Sequence, residues 1–236
     1  MVYKFEPIGF IRSPYKEKFG IPRQPGLITE ARGELVFSEP YSRPEAVIGL
    51  EGYSHVWLQF VFHQAMREAW QPMVRPPRLG GNKRVGVFAS RAPFRPNPIG
   101  LSVVQLEGVQ ARDGEVVLEL AGLDLLDGTP VLDVKPYVAY VDSIPNARSG
   151  FAPEPPAVRF QVRFSDLAEG QLLSRPEPDQ LRRFIIRVLE IDPRPAYAGD
   201  TQPERIYGIR LYDFDLRWRI DGDLIEVLEL APPGVD

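Results

Sequence analysis

The sequence predicts a mainly β protein, an antiparallel barrel or sandwich followed by a smaller α+β unit. Three observations carry this. Residues 1–138 hold six or seven short apolar runs of strand character and one short helix signal, the pattern of an antiparallel β architecture. Residues 142–157 contain Pro145, Pro153, Pro155 and Pro156 with no periodicity, as a linker does. Beyond them Leu181, Phe184, Ile185, Val188 and Leu189 share one helical face, and two alternating runs meet at Asp221-Gly222. The chain therefore divides into 1–141, a proline-rich linker at 142–157, and 158–236.

Taken in order, Phe5–Arg12 reads as a first strand, with Pro7 marking an edge or an irregular start. Residues 13–27, SPYKEKFGIPRQPGL, are long for a plain connection, so the segment is a functional or a disordered loop. Pro22, Pro25 and Gly26 argue for a shaped one. Gly33–Glu39 is a second strand, after which Ser42, Pro44 and Glu45 form a helix-start signature, cut short by Gly49 and Gly52. His55–Gln64 is nearly continuously apolar and predicts a strand buried on both faces. Val85–Ala89 reads as a short buried strand. Ile99–Gln110 and Glu115–Leu123 flank Asp113-Gly114, a strong hairpin signal. In the second unit, Val158–Phe164 is a strand and 178–191 a helix stopped by Asp192-Pro193-Arg194-Pro195. Ile206–Ile220 and Leu224–Leu230 make the closing hairpin.

Composition narrows the chemistry. The 236 residues are 44% hydrophobic and 25% charged, which is ordinary globular composition. The absence of cysteine excludes disulfides, thiolate catalysis and thiolate metal sites, and two histidines make a His-rich metal site implausible. The N-terminus lacks a long apolar h-region and no apolar run reaches membrane-spanning length, so a soluble, cytoplasmic protein is expected. Neither a P-loop nor a dinucleotide fingerprint is present. Net charge is −4, yet residues 1–141 carry 16 basic and 15 acidic side chains against 12 and 17 in 142–236. An anionic partner would meet the first unit.

The basic residues concentrate between Arg75 and Ser102, where Arg75, Arg78, Lys83, Arg84, Arg91 and Arg95 occur without an acidic neighbour. Pro93, Pro96 and Pro98 stiffen the second half, and Arg91 and Arg95 bracket Phe94, a cation beside an aromatic platform. Such a stretch is either a solvated surface or a rigid site for an anionic ligand. Residues alone leave that choice open.

The motifs IRSPYKEKFGIPRQPGL (11–27), HVWLQFVFHQ (55–64), RPPRLGG (75–81), GVFASRAPFRPNPIGLS (86–102) and LDLLDGTPVLDVKPY (123–137) resemble those of the TrmO-like tRNA (adenine-N6)-methyltransferases, also called the TsaA-like or VirR-like family. DPRPAY (192–197) resembles the long bacterial form with an extra C-terminal domain. The similarity runs essentially end to end. It implies a single-sheet β-barrel that uses S-adenosylmethionine without a Rossmann fold. Its implied substrate is threonylcarbamoyl-adenosine at tRNA position 37, beside the anticodon, methylated at N6. A homodimer with the cofactor near its interface is implied as well.

Matched position by position, the resemblance implies cofactor contacts from Pro25, Gly26, Leu27, His63, Gln64, Arg91, Leu101, Asp124, Leu125, Leu126 and Asp127. In that setting Asp124 or Asp127 can accept from ribose hydroxyls or an ammonium, and Arg91 can meet a carboxylate. Arg75, Arg78, Lys83, Arg84 and Arg95 are expected on anticodon-loop phosphates, Phe94 or Tyr15 as a stacking surface, and Arg194 within reach of the substrate. Methyl transfer to nitrogen needs positioning and a proton acceptor, for which Asp127 and Asp133 are candidates, with Lys135 or Tyr137 orienting the base. The same aspartates could equally cap turns, with Lys135 pairing one of them. A non-catalytic RNA-binding barrel and a small-molecule methyltransferase on the same fold are the competing readings.

Overall fold

The computed structural model describes residues 2–112, 114–194 and 205–234. Its first strands are β1 (Gly9–Arg12), β2 (Gly33–Phe37) and β3 (His55–Val61). A two-residue pair follows, β4 (Met73–Val74) and β5 (Val85–Gly86), then β6 (Ile99–Arg112), β7 (Glu115–Ala121) and β8 (Pro130–Pro136). All but β4 and β5 close into an antiparallel barrel in the order β1-β2-β7-β6-β3-β8. Period-two burial drives the closure. Val56, Leu58 and Phe60 of β3, Val104 and Leu106 of β6, and Val116, Leu118 and Leu120 of β7 point into one core with Ile11, Leu35 and Val131.

The closed barrel corrects three expectations. β3 is buried on alternate residues, because a barrel strand has an inner and an outer face. Val85–Ala89 is no core strand: β5 pairs only with β4, outside the barrel, and a 3₁₀ turn at Val87–Ala89 leaves Phe88 73% exposed. Val87 alone is buried there. Ser42 does not cap the short 3₁₀ helix Pro44–Val47; its hydroxyl accepts from Val116 N at 2.8 Å instead.

After β8 come α1 (Ala139–Asp142), β9 (Gln161–Phe164), α2 (Asp166–Leu173), α3 (Pro178–Glu190), β10 (Tyr207–Leu211), β11 (Phe214–Asp221) and β12 (Leu224–Ala231). The four strands form a sheet ordered β10-β11-β12-β9, with β9 and β12 parallel. α3 lays Phe184, Ile185, Val188 and Leu189 into a core with Leu216, Trp218, Ile220, Ile225 and Val227. The run 206–220 is broken by Tyr212, which takes a left-handed φ of 48° and splits it into β10 and β11. Tyr15, Ile28 and Ala31, from the connection between β1 and β2, are buried in this second core. The two units thus share one hydrophobic cluster.

Candidate active site

Strands β1, β3 and β7 end, and β2, β6 and β8 begin, at the same rim of the barrel. The connections 13–32, 62–98 and 122–129 therefore meet there. Polar contacts tie them together. Asp127 receives Ser13 N on Oδ1 at 2.8 Å and the Lys16 ammonium on Oδ2 at 2.8 Å. Lys18 Nζ donates to the Gln64 carbonyl at 2.5 Å, and Gly26 N donates to the Gly122 carbonyl at 2.9 Å. Arg91 donates to the side-chain carbonyl of Gln24.

Asp124 is the titratable centre of this rim. Its Oδ1 accepts from the Ser102 hydroxyl at 2.7 Å, and Ser102 is itself buried in β6. Burial pushes the Asp124 carboxyl up to about 6, against the opposing pull of the Ser102 hydrogen bond, a backbone hydrogen bond and the Arg91 charge. A carboxyl with its pKa raised to about 6, within the field of the Arg91 guanidinium, is equipped for proton transfer.

Comparison with known proteins places this chain in a family. The family model for the tRNA-methyltransferase O N-terminal domain matches residues 10–143, and that for the TrmO C-terminal domain matches 157–233. The chain belongs to the tRNA-methyltransferase O family. It is 51% identical, over 98% of both chains, to a protein of Escherichia coli named tRNA (adenine(37)-N6)-methyltransferase. It is 50% identical, over 98% of its length and 99% of the relative's, to a Pseudomonas aeruginosa protein named putative S-adenosylmethionine-dependent methyltransferase RcsF. A crystal structure of TrmO from Pseudomonas aeruginosa superposes with a TM-score of 0.79 at 43% identity, covering 98% of this chain and 99% of that one.

In this member of the tRNA-methyltransferase O family, the residues matched to cofactor contacts gather at or beside the rim. Pro25, Gly26 and Leu27 lie in the first connection, His63 and Gln64 in the 3₁₀ turn after β3, and Arg91 in the second connection. Asp124 to Asp127 form the middle half of the third. Leu101 is the third residue of β6 and is 50% exposed on the outer wall. Leu125 and Leu126 are buried, and both carbonyls are already engaged, that of Leu125 by the Ser13 hydroxyl at 2.8 Å and that of Leu126 by the Thr129 hydroxyl at 2.7 Å.

The residues matched to chemistry separate. Asp127 is held by Ser13 and Lys16, a structural role. A bulge between Gln59 and Phe60 turns Asp133 to the outer wall, opposite Gln59, which on its other side faces Leu101. Asp133 pairs with Lys135 at 2.7 Å, and Tyr137 leans on Trp57 and His55 at 6.1 and 6.2 Å.

Among the residues matched to RNA, Arg75, Arg78, Lys83 and Arg84 are exposed on the 62–98 excursion, with Arg78 also reaching the Glu154 carbonyl. Phe94 is 38% exposed and carries the Arg67 guanidinium 3.7 Å from its ring centroid. Two expectations, for Tyr15 and Arg194, are corrected, and Arg95 is partly committed to its own loop. Tyr15 is fully buried against Phe184, at 5.9 Å, so neither ring face is available to a base. Arg95 spends NH1 on the carbonyls of Ser90 and Val87, at 2.7 and 3.3 Å, and so holds its own loop in shape. Arg194 is buried on Asp192, at 2.8 and 3.0 Å, beneath Tyr207, and cannot reach a substrate. The rest of DPRPAY lies outside the described residues. Sequence reasoning missed Ser102 and the lysines at 16 and 18 as rim residues. Ser102 ends a matched motif and the lysines alternate along the first loop, which are the signals that could have found them.

Proposed function

We propose that this chain methylates N6 of threonylcarbamoyl-adenosine at tRNA position 37, using S-adenosylmethionine, as a cytoplasmic homodimer. Its class, tRNA (adenine-N6)-methyltransferase, is that of the Escherichia coli relative. The observation that carries the finer reading is the convergence of three connections on one barrel rim around Asp124 and Arg91.

The donor set there fits the cofactor. Arg91 suits an α-carboxylate, and Gly26, at φ 73° with open space where a Cβ would stand, offers bare backbone. S-adenosylmethionine, when bound, supplies a methyl group activated by its sulfonium. The chain's own residues hold the reactants in register and manage the N6 proton. Asp124, not Asp127 or Asp133, is the proton acceptor: Asp127 is occupied by Ser13 and Lys16, and Asp133 is paired with Lys135. The carboxylate takes the proton as nitrogen gains its methyl group. Arg75, Lys83 and Arg84 hold anticodon-loop phosphates and Phe94 offers its remaining ring face to a base. Leu101 and Ile99, 50% and 43% exposed on the outer wall, support a dimer contact close to the rim.

The test is transfer of labelled methyl from S-adenosylmethionine into tRNA from cells lacking this protein, with nucleosides resolved by mass spectrometry. Label on threonylcarbamoyl-adenosine, and none on tRNA lacking that group, is expected. Cofactor binding without transfer, or label elsewhere, would overturn the reading.

A further inference from the structure

The C-terminal unit touches the first rim connection along a short strap, residues 14–20, which bends at Pro14, Glu17 and Lys18 and turns at Phe19 and Gly20. Its odd- and even-numbered side chains have different partners. Toward the barrel, Lys16 reaches Asp127 at 2.8 Å and Lys18 reaches the Gln64 carbonyl at 2.5 Å. Toward the C-terminal sheet, Tyr15 bridges to Leu211, Glu17 Oε1 accepts from Arg210 N at 2.9 Å, and the Phe19 ring stacks on Trp218 at 6.3 Å and 11°. Tyr212 N donates to the Pro14 carbonyl at 2.8 Å. Gly20 completes the fit, because a Cβ there would stand 1.8 Å from Ile209 Cδ1. A single β-bridge, Tyr15 to Leu211, joins the strap to β10.

We infer that the C-terminal unit serves methylation by positioning the cofactor rim, with Glu17, Phe19 and Trp218 as positioning residues that act through Lys16 and Lys18. This rests on the reading that the rim binds S-adenosylmethionine. The odd-numbered strap residues anchor to a rigid sheet, and that anchorage fixes where the even-numbered lysines place Asp127 and Gln64. The acidic balance of 142–236, 12 basic against 17 acidic side chains, suits a scaffold better than a phosphate contact.

The experiment uses the full chain and measures S-adenosylmethionine affinity by calorimetry without tRNA, then KM for tRNA. Glu17→Ala, at an exposed position, removes one hydrogen bond and is expected to weaken cofactor affinity about fivefold. Glu17→Gln, which keeps the acceptor oxygen, is expected to restore it, and Phe19→Leu to weaken it about as much as Glu17→Ala. KM for tRNA is expected to stay put in all three. Unchanged cofactor affinity in Glu17→Ala, or an effect confined to KM for tRNA, would overturn the inference. Should the unaltered protein fail to bind S-adenosylmethionine, the proposed function itself falls, a result the wild-type titration reads separately.

Discussion

Replacing Asp124 by Asn separates the acid–base work of the rim from its architecture. Asparagine keeps an oxygen to accept from Ser102, now 2.7 Å away, and removes only the charge. Burial raises the carboxyl from 3.8 to about 6, so between those values the folded state binds more protons than the unfolded one. Stability therefore falls as pH rises through this window and is lowest above pH 6, where the buried charge costs about 3 kcal/mol. Asp124→Asn removes that cost. Its melting temperature is expected to exceed the wild-type value by several degrees at pH 8 and to converge with it below pH 4. Activity is expected to move the other way. Loss of a general base lowers kcat about 10²–10⁴-fold. The wild-type profile of kcat/KM should fall tenfold per unit below about pH 6, and the variant should lack that limb. Thermal melts and methyl-transfer assays from pH 4 to 8.5 read both effects. A variant that keeps the acidic limb, or a stability gap equal at every pH, would refute the argument.

Other outcomes follow from the same geometry. Arg91→Ala is expected to weaken S-adenosylmethionine binding about tenfold or more in calorimetry, the loss of a charged hydrogen bond; unaltered affinity would remove Arg91 from the site. Reversing charge at Arg75, Lys83 and Arg84 together should raise KM for tRNA at least about tenfold at low salt and flatten its salt dependence, with cofactor affinity unmoved. Tyr15→Phe removes a buried hydroxyl that has no hydrogen-bond partner among the described residues, so chemical denaturation should show stability equal to wild type or about 1 kcal/mol higher. A clear loss of stability in that variant would show that the Tyr15 hydroxyl is satisfied after all.

Much of the fold was legible because its signals are local. Short apolar runs marked the barrel strands, Asp-Gly turns marked two hairpins, and the stripe from Leu181 to Leu189 marked α3. α2 escaped notice because Asp166–Leu173 has no clean apolar face: Ala168 and Leu172 are buried while Leu167 and Leu173 are exposed. Burial by distant chain was the other blind spot. Tyr15 sits among lysines and so reads as surface, yet the C-terminal sheet covers it completely. Arg194 looked free until Asp192 and Tyr207 enclosed it. At the candidate site, motif matching picked out residues that the fold gathers at one rim, but the raised pKa of Asp124 arises from tertiary burial that spacing cannot report.

Alternate connections of a closed antiparallel barrel emerge at opposite ends, and the long strand β6 spans the whole height. From Ser102, which touches Asp124, to Arg112 is ten residues, about 33 Å along the strand. The turn containing Gly114 and the stretch 38–54 therefore sit at the end remote from the Asp124 rim. Length is cheap there and costly at the rim. A fluorophore or affinity handle grafted beside Gly114 can follow the enzyme onto tRNA without entering the chemistry, and drift in loop length among its descendants has that same end in which to accumulate.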